Sequence, residues 1–264
     1  AVVPLMRWLD DELMQAIASY QPLAARALAL DRSPVDDVAF VADGFSALRH
    51  GVGDPMGQFL LREQVPPLAR FGGVAGHYAL EDLPRLKRHR MIVFGNILAP
   101  SESARREISA MKGAGRVLVF TYAPGLYRNG LVDEAAMREM TGIAIKRSRP
   151  SQPLRVGIRK DGAGLQGIAG QDYGDPLPAA VDPVFVADDP DAVVLGTLPD
   201  GRPGLVIKSF KDWTAVFSSA PMLPAKLLRV LAGKAGARLY AEEGDCLFAC
   251  RDILLELGVK LLRK

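Results

Sequence analysis

With 264 residues, 49% of them hydrophobic, the chain can bury a full core, as one large domain or one domain with appendages. Its 33 basic residues nearly balance 30 acidic ones, and the net charge of +3 gives no footing for a nucleic-acid partner. No apolar run nears the roughly 20 residues a membrane span needs, and no signal peptide opens the chain, so neither a membrane partner nor targeting is expected.

Residues 5–30 place Leu5, Trp8, Leu9, Leu13, Ile17, Leu23, Ala27 and Leu28 at helical spacing, with Trp8 read as a core side chain. Pro22 is expected to kink or split this helix. Its apolar stripe has no obvious covering layer, which predicts self-association unless the helix folds back on its own sheet. The chain starts at Ala1, so either a leading Met was removed or this is a piece of something longer. Residues 1–34 are accordingly set apart as a helical segment, a remnant of or linker from a preceding domain.

Ser33-Pro34 ends that segment, and VDDVAFVAD reads as the first strand, with Val38, Phe40 and Val41 as its body and Asp43 at its end. GFSALRHGVGDP is too glycine-rich for a helix. It leaves the carboxyl end of the strand, where open α/β sheets bind ligands, so Asp43, Ser46, Arg49 and His50 are candidates by position. The structural alternative has Asp43 capping the turn and His50 solvated. MGQFLLREQVPPLARFGG predicts a helix interrupted at Pro66 and Pro67, followed by a short strand in VAGHYALEDL. KRHR reads as a solvated helix end.

Met91 to Gly125 reads as a complete strand, helix, strand unit. MIVFGN and RVLVF are uniformly apolar, as strands buried on both faces of a parallel sheet are. Between them Ser101 can cap a helix with Ala104, Ile108 and Met111 on one face, ended by Gly113 and Gly115. A parallel neighbour reached through a helix is a right-handed crossover, so the core, residues 35–149, is α/β. After a helix over 133–143, residues 150–264 form a β-rich section. Its short strands LRVGIR, PVFVAD, AVVLGTL, GLVIKSF and WTAVFSSA make an inserted lobe or extend the sheet. LPAKLLRVLAGKAG is a helix, ARLY a strand, and the tail a hairpin-like pair.

Motifs for chemistry are sparse. Gly162 to Gly167 form a GxGxxG, but nothing after it opens the helix that a dinucleotide needs, so no cofactor is expected. The turn TYAPG is where a hydrolase or amidotransferase would carry its nucleophile, in GxSxG or GxCxG. Laying Gly125 on the last glycine puts Ala123 at the nucleophile, and alanine cannot attack. Ser46 lacks the second glycine, and its nearest histidine, His50, has no acidic residue at a relay spacing. His50, His77 and His89 are scattered, so no metal is expected. Cys246 and Cys250 lie about 13 Å apart on a strand, too far to bridge, and read as small buried hydrophobes of a reducing, cytoplasmic compartment. Tyr122, Tyr127 and Trp213 could stack on a sugar, though packing is the simpler role. Asp43, Asn96, Tyr122 and Tyr127 are expected to converge at the carboxyl edge of the sheet, in a residual pocket without a nucleophile and with a relaxed turn at Ala123.

DDVAFVADGFS, the helix ending in FGG, the run from HYALEDL to TYAPGLY, and the closing LLRVLAGKAGARLYAEEGDCLFACRDILLELG resemble a known domain. It is the glutamine-amidotransferase-like, or trimerisation, domain that follows the catalytic barrel in glycoside hydrolase family 42 β-galactosidases and related glycosidase-like proteins. The resemblance implies a flavodoxin-like parallel sheet flanked by helices, of the class I glutamine amidotransferase type, with a β-rich section after it. It further implies a non-catalytic module with the nucleophile lost, a homo-oligomer that is trimeric in the family, and a part in shaping a carbohydrate site. The family's catalytic glutamates belong to the barrel, no part of which fits in 34 residues. Two rivals stand beside it: an autonomous small hydrolase using Asp43, Ser46 and the TYAPGLY loop, and a carbohydrate-binding module.

Overall fold

A computed structural model describes residues 11–50, 54–149, 151–160, 165–174 and 180–257. Trp8 and residues 162–164 of the glycine motif lie outside them. Helix α1 (Asp11–Leu28) precedes the sheet, and β1 (Val38–Ala42) opens it. Short helices α2 (Gly44–Ala47), α3 (Met56–Leu60) and α4 (Val65–Ala69) lead to β2 (Ala75–Ala79). A 3-10 segment, Leu80–Arg88, leads to β3 (Met91–Phe94), and α5 (Glu102–Ala110) crosses to β4 (Arg116–Thr121). A small ribbon, β5 (Tyr127–Arg128) with β6 (Leu131–Val132), and α6 (Glu134–Thr141) follow. Then come β7 (Ile145–Ser148), β8 (Arg155–Ile158), β9 (Asp172–Gly174), β10 (Val184–Ala187), β11 (Val193–Thr197), β12 (Pro203–Ser209) and β13 (Trp213–Ser218). Helix α7 (Ala225–Lys234) and the hairpin β14 (Cys246–Ala249) with β15 (Leu254–Leu257) complete the described elements.

One nine-stranded sheet runs β2-β1-β3-β4-β13-β12-β11-β8-β9. Its first five strands are parallel, and from β13 outward every pairing is antiparallel. The β-rich section therefore extends the sheet, except that PVFVAD, as β10, pairs with β7 in a separate ribbon. Alternate residues of the parallel strands serve two cores. Phe40, Val93 and Val119 pack with Leu68, Met137 and Leu227 from helices on one face. Val41, Phe94 and Phe120 pack with Leu83, Leu86 and Ile108 on the other. Burial on both faces is why these strands read as unbroken apolar runs. Phe94 and Phe120 stack at 5.1 Å between centroids, and removing either ring would cost about 3–5 kcal/mol.

Several expectations change. Pro22 does not split α1, which continues through it. The helix is exposed, so water can satisfy the carbonyl that proline leaves unpaired. Pro66 and Pro67 begin α4 rather than interrupting a longer helix, because the first turn needs no donor there. GFSA is helical after all, since the Asp43 carboxylate caps it by accepting from Phe45 N at 3.0 Å. ARLY contributes only a single bridge, Gly73 to Leu239. Among the described residues, no helix is long and apolar enough to cross a membrane, and no cluster could hold a metal ion.

Candidate functional site

The order of the parallel strands reverses between β1 and β3, and the crevice outside their carboxyl ends is the usual ligand position in such sheets. Asp43 directly follows β1 and Asn96 lies two residues past β3. The Asn96 side chain accepts from Asp43 N at 2.8 Å and donates to Asp43 O at 2.9 Å, clasping the two strand ends together. Ser46, 0% exposed, donates to the Asp43 carboxylate and accepts from Ala99 N at 2.9 Å. The Asn96 and Ala99 bonds tie the loop after β3 to the loop after β1, and the Asp43 carboxylate bonds within its own loop. No histidine reaches Ser46. His50 instead sits 3.1 Å from the Asp54 carboxylate, an i,i+4 partner that the spacing argument overlooked.

A cleft of about 590 Å³ opens over this cluster, lined by Asp43, Phe45, Leu48, Arg49, Glu81 and Ser101 among others. Phe45 is 73% exposed at its rim. The Arg49 guanidinium lies over the Tyr127 ring at 5.2 Å, and Tyr127 N donates to Leu98 O at 2.9 Å. Asp43, Ser46 and Asn96 thus converge, with Tyr127 adjoining them through Arg49.

Tyr122 does not join them. Its hydroxyl donates to Pro183 O at 2.9 Å, and its ring meets Phe185 edge-on at 5.3 Å. Burial first, and then the nearby charge of Asp54, push its phenol pKa up. The turn is not relaxed either. Tyr122 holds φ at 62°, a left-handed conformation that a bulky residue adopts only when its surroundings over-determine it. The strained residue of the turn is therefore Tyr122 rather than Ala123, which is fully buried beside it. Gly125 follows at φ 71°, where an added Cβ would lie 2.3 Å from the Met140 methyl. Buried Arg105 holds this loop from below, donating to Gly125 O and Tyr127 O at 2.9 Å each. Arg105 lies four residues after the Ser101 cap, on the sheet-facing side of α5, a signal that the helical spacing carried.

A second polar cluster occupies the opposite end of β1. Asp36 and His89, each 2% exposed, meet at 3.0 Å, and Arg88 and Tyr78 also donate to the Asp36 carboxylate. Burial works to raise the Asp36 pKa, but the bonds from His89 and Tyr78 and the charges of His89 and Arg88 outweigh it and hold the carboxyl below its ordinary value. Burial and the bond to Asp36 push the Tyr78 phenol up to about 12. KRHR is thus no solvated end at His89. Its partner stands 53 positions upstream, beyond the reach of local pattern.

No family model matches this sequence, and no curated protein does. The fold, however, is that of a segment of solved β-galactosidases. A β-galactosidase from Rahnella sp. R3 superimposes at a TM-score of 0.68 with 17% identity, over 92% of this chain and 38% of that one. A family 42 β-galactosidase from G. stearothermophilus gives 0.60 and 16%, over 83% and 33%. The enzyme from Bacillus circulans sp. alkalophilus gives 0.60 and 15%, over 84% and 34%. This chain thus spans about a third of the neighbours' length, and identities this low establish shared architecture alone.

Proposed function

We propose that this chain is a non-catalytic, amidotransferase-like module of a β-galactosidase-type glycoside hydrolase assembly, flavodoxin-like in its parallel half, and that it joins protomers. The observation that carries this reading is the side chain that stands at the turn after β4. Where such folds present a nucleophile, this chain has Ala123, fully buried and without a group that can attack, next to Tyr122, whose hydroxyl is engaged by Pro183. The nearest alternative, Ser46, is enclosed, and its hydroxyl is held by the Asp43 carboxylate and the Ala99 N–H with no histidine in reach. The order β2-β1-β3-β4-β13 supports the flavodoxin-like assignment, matching the 2-1-3-4-5 pattern with β13 as fifth strand. Free Cys246 and Cys250 fit a reducing, cytoplasmic setting.

The test is a panel of nitrophenyl glycosides and simple esters offered to the purified chain. No turnover is expected. Hydrolysis that disappears in Ser46→Ala would overturn the reading and install the small-hydrolase alternative.

Exposed Phe45 beside Arg49, Glu81 and Ser101 favours a second role at the same cleft, binding a hydroxyl-rich ligand such as a saccharide. Glycan-array binding that falls at least tenfold in Phe45→Ala is the expected result. A flat response across the array removes this role.

A further inference from the structure

Beside the Asp36 end of β1 lies a second pocket, of about 580 Å³, which shares no lining residue with the cleft over Asp43. It opens where the sheet stops at its edge strand β2, between that strand, α4 and β14. Its walls are apolar. Val65 and Leu68 of α4, Leu247 of β14 and Ile253 line it, and Phe248, 57% exposed, adds an aromatic surface. Its polar chemistry is gathered in three side chains, Asp36, His77 and Tyr78. A mostly apolar cavity of this size with a few polar groups at one place is the form that small-molecule sites take.

The state of those three groups narrows the ligand. Asp36 accepts from Tyr78, His89 and Arg88, so its charge is already matched. The Tyr78 phenol, pushed up to about 12, stays neutral, and having given its hydrogen to Asp36 it can only accept. His77 makes no hydrogen bond or ion pair among the described residues, and its ring meets Phe40 edge-on at 5.6 Å. Loss of hydration lowers its pKa, so near neutral pH the imidazole is uncharged and offers one donor and one acceptor. A cationic head would compete with Arg88 for Asp36, and an anionic one would meet the Asp36 carboxylate. Either would give up hydration without gaining a free counter-charge. A hydroxyl can pair with His77 at no such cost. We propose that this pocket binds an uncharged, largely aromatic small molecule bearing a hydroxyl group, with His77 holding the hydroxyl and Phe248 covering the ring.

This site stands apart from the assembly reading and does not depend on it. The probes are 2-naphthaleneethanol, 2-naphthaleneethylamine and 2-naphthaleneacetate, one ring system with a neutral, a cationic and an anionic head. Each is titrated near neutral pH into the isotope-labelled full chain and followed by NMR. The alcohol is expected to saturate, to shift the amides of residues 76–78 and 247–249, and to bind about tenfold tighter than either charged analogue. His77→Ala should weaken the alcohol about fivefold, the worth of one hydrogen bond, and leave the charged analogues unchanged. Phe248→Ala should weaken all three. Both side chains are exposed, so neither variant disturbs the core. No saturation by the alcohol, equal affinity for the three heads, or an alcohol affinity that either variant leaves intact overturns the proposal. So does binding that fades as the protein is concentrated, which would show a second copy seated in the pocket. These failures leave the non-catalytic reading untouched, and glycoside hydrolysis by the chain would end that reading without bearing on this pocket.

Discussion

The two ends of β1 carry a buried carboxylate each, and they are used in opposite ways. Asp43, at the carboxyl end where parallel sheets keep their active sites, bonds only to neutral groups: Phe45 N, the Ser46 hydroxyl and, through its backbone, Asn96. Asp36, at the amino end, is surrounded by the titratable side chains of His89, Arg88 and Tyr78, and its pKa is displaced. Displaced titration is a common mark of active sites. Here it marks the end of the sheet opposite the crevice. The contrast teaches that buried carboxylates at the two ends of one strand can fasten it in different ways, one through charged partners and one through neutral ones.

The contrast can be broken most decisively at Asp36. Asp36→Asn leaves Arg88 and His89 without their counter-charge and is expected to lower unfolding stability by about 3–5 kcal/mol, read by urea titration. A loss smaller than that of the Asn96 variant would invert the comparison. The same interaction shows in pH. A carboxyl held below its ordinary value of 3.8 adds stability above that value and loses it as pH falls through the folded value. The stability gap between wild type and Asp36→Asn should therefore be widest near neutrality and close under acid. A gap independent of pH would show that packing, not charge, holds this end.

At the other end, Asn96→Ala unmakes both clasp bonds to Asp43 and is expected to cost about 1–3 kcal/mol, with loosening confined to the loops after β1 and β3. Hydrogen exchange at Ala99 and Phe45 N–H groups reports this directly. Smallest is Tyr122→Phe, which removes one buried bond and should cost about 0.5–1.5 kcal/mol by thermal unfolding. A much larger loss would mean that the hydroxyl has a role beyond Pro183.

The parallel half of the sheet was legible because its strands are buried on both faces and its helices carry ordinary caps, Ser101 and Asp133 among them. The placement of Asp43, Ser46 and Asn96 was legible too, because strand ends are local. What local pattern could not show was pairing at a distance. His89 finds Asp36 across 53 positions, and Tyr122 finds Pro183 across 61. Nor can a tyrosine advertise a positive φ as a glycine does. The strain at Tyr122 depends on contacts to Ser218 and Phe185, which lie in the part of the chain that reads only as short strands and turns.

The seam between β4 and β13 sets a timetable for the chain's synthesis. Arg116 pairs with Trp213 and Thr121 with Ser218, so the two central strands are separated by roughly a hundred residues, a span that slows closure. At about 5–20 residues per second on the ribosome, β4 emerges several seconds before its neighbour exists. Throughout that interval an apolar strand has a bare hydrogen-bonding edge, the condition under which strands recruit foreign chains. Nascent chains stalled before Trp213 should accordingly bind chaperones and aggregate, and chains released past Ser218 should not.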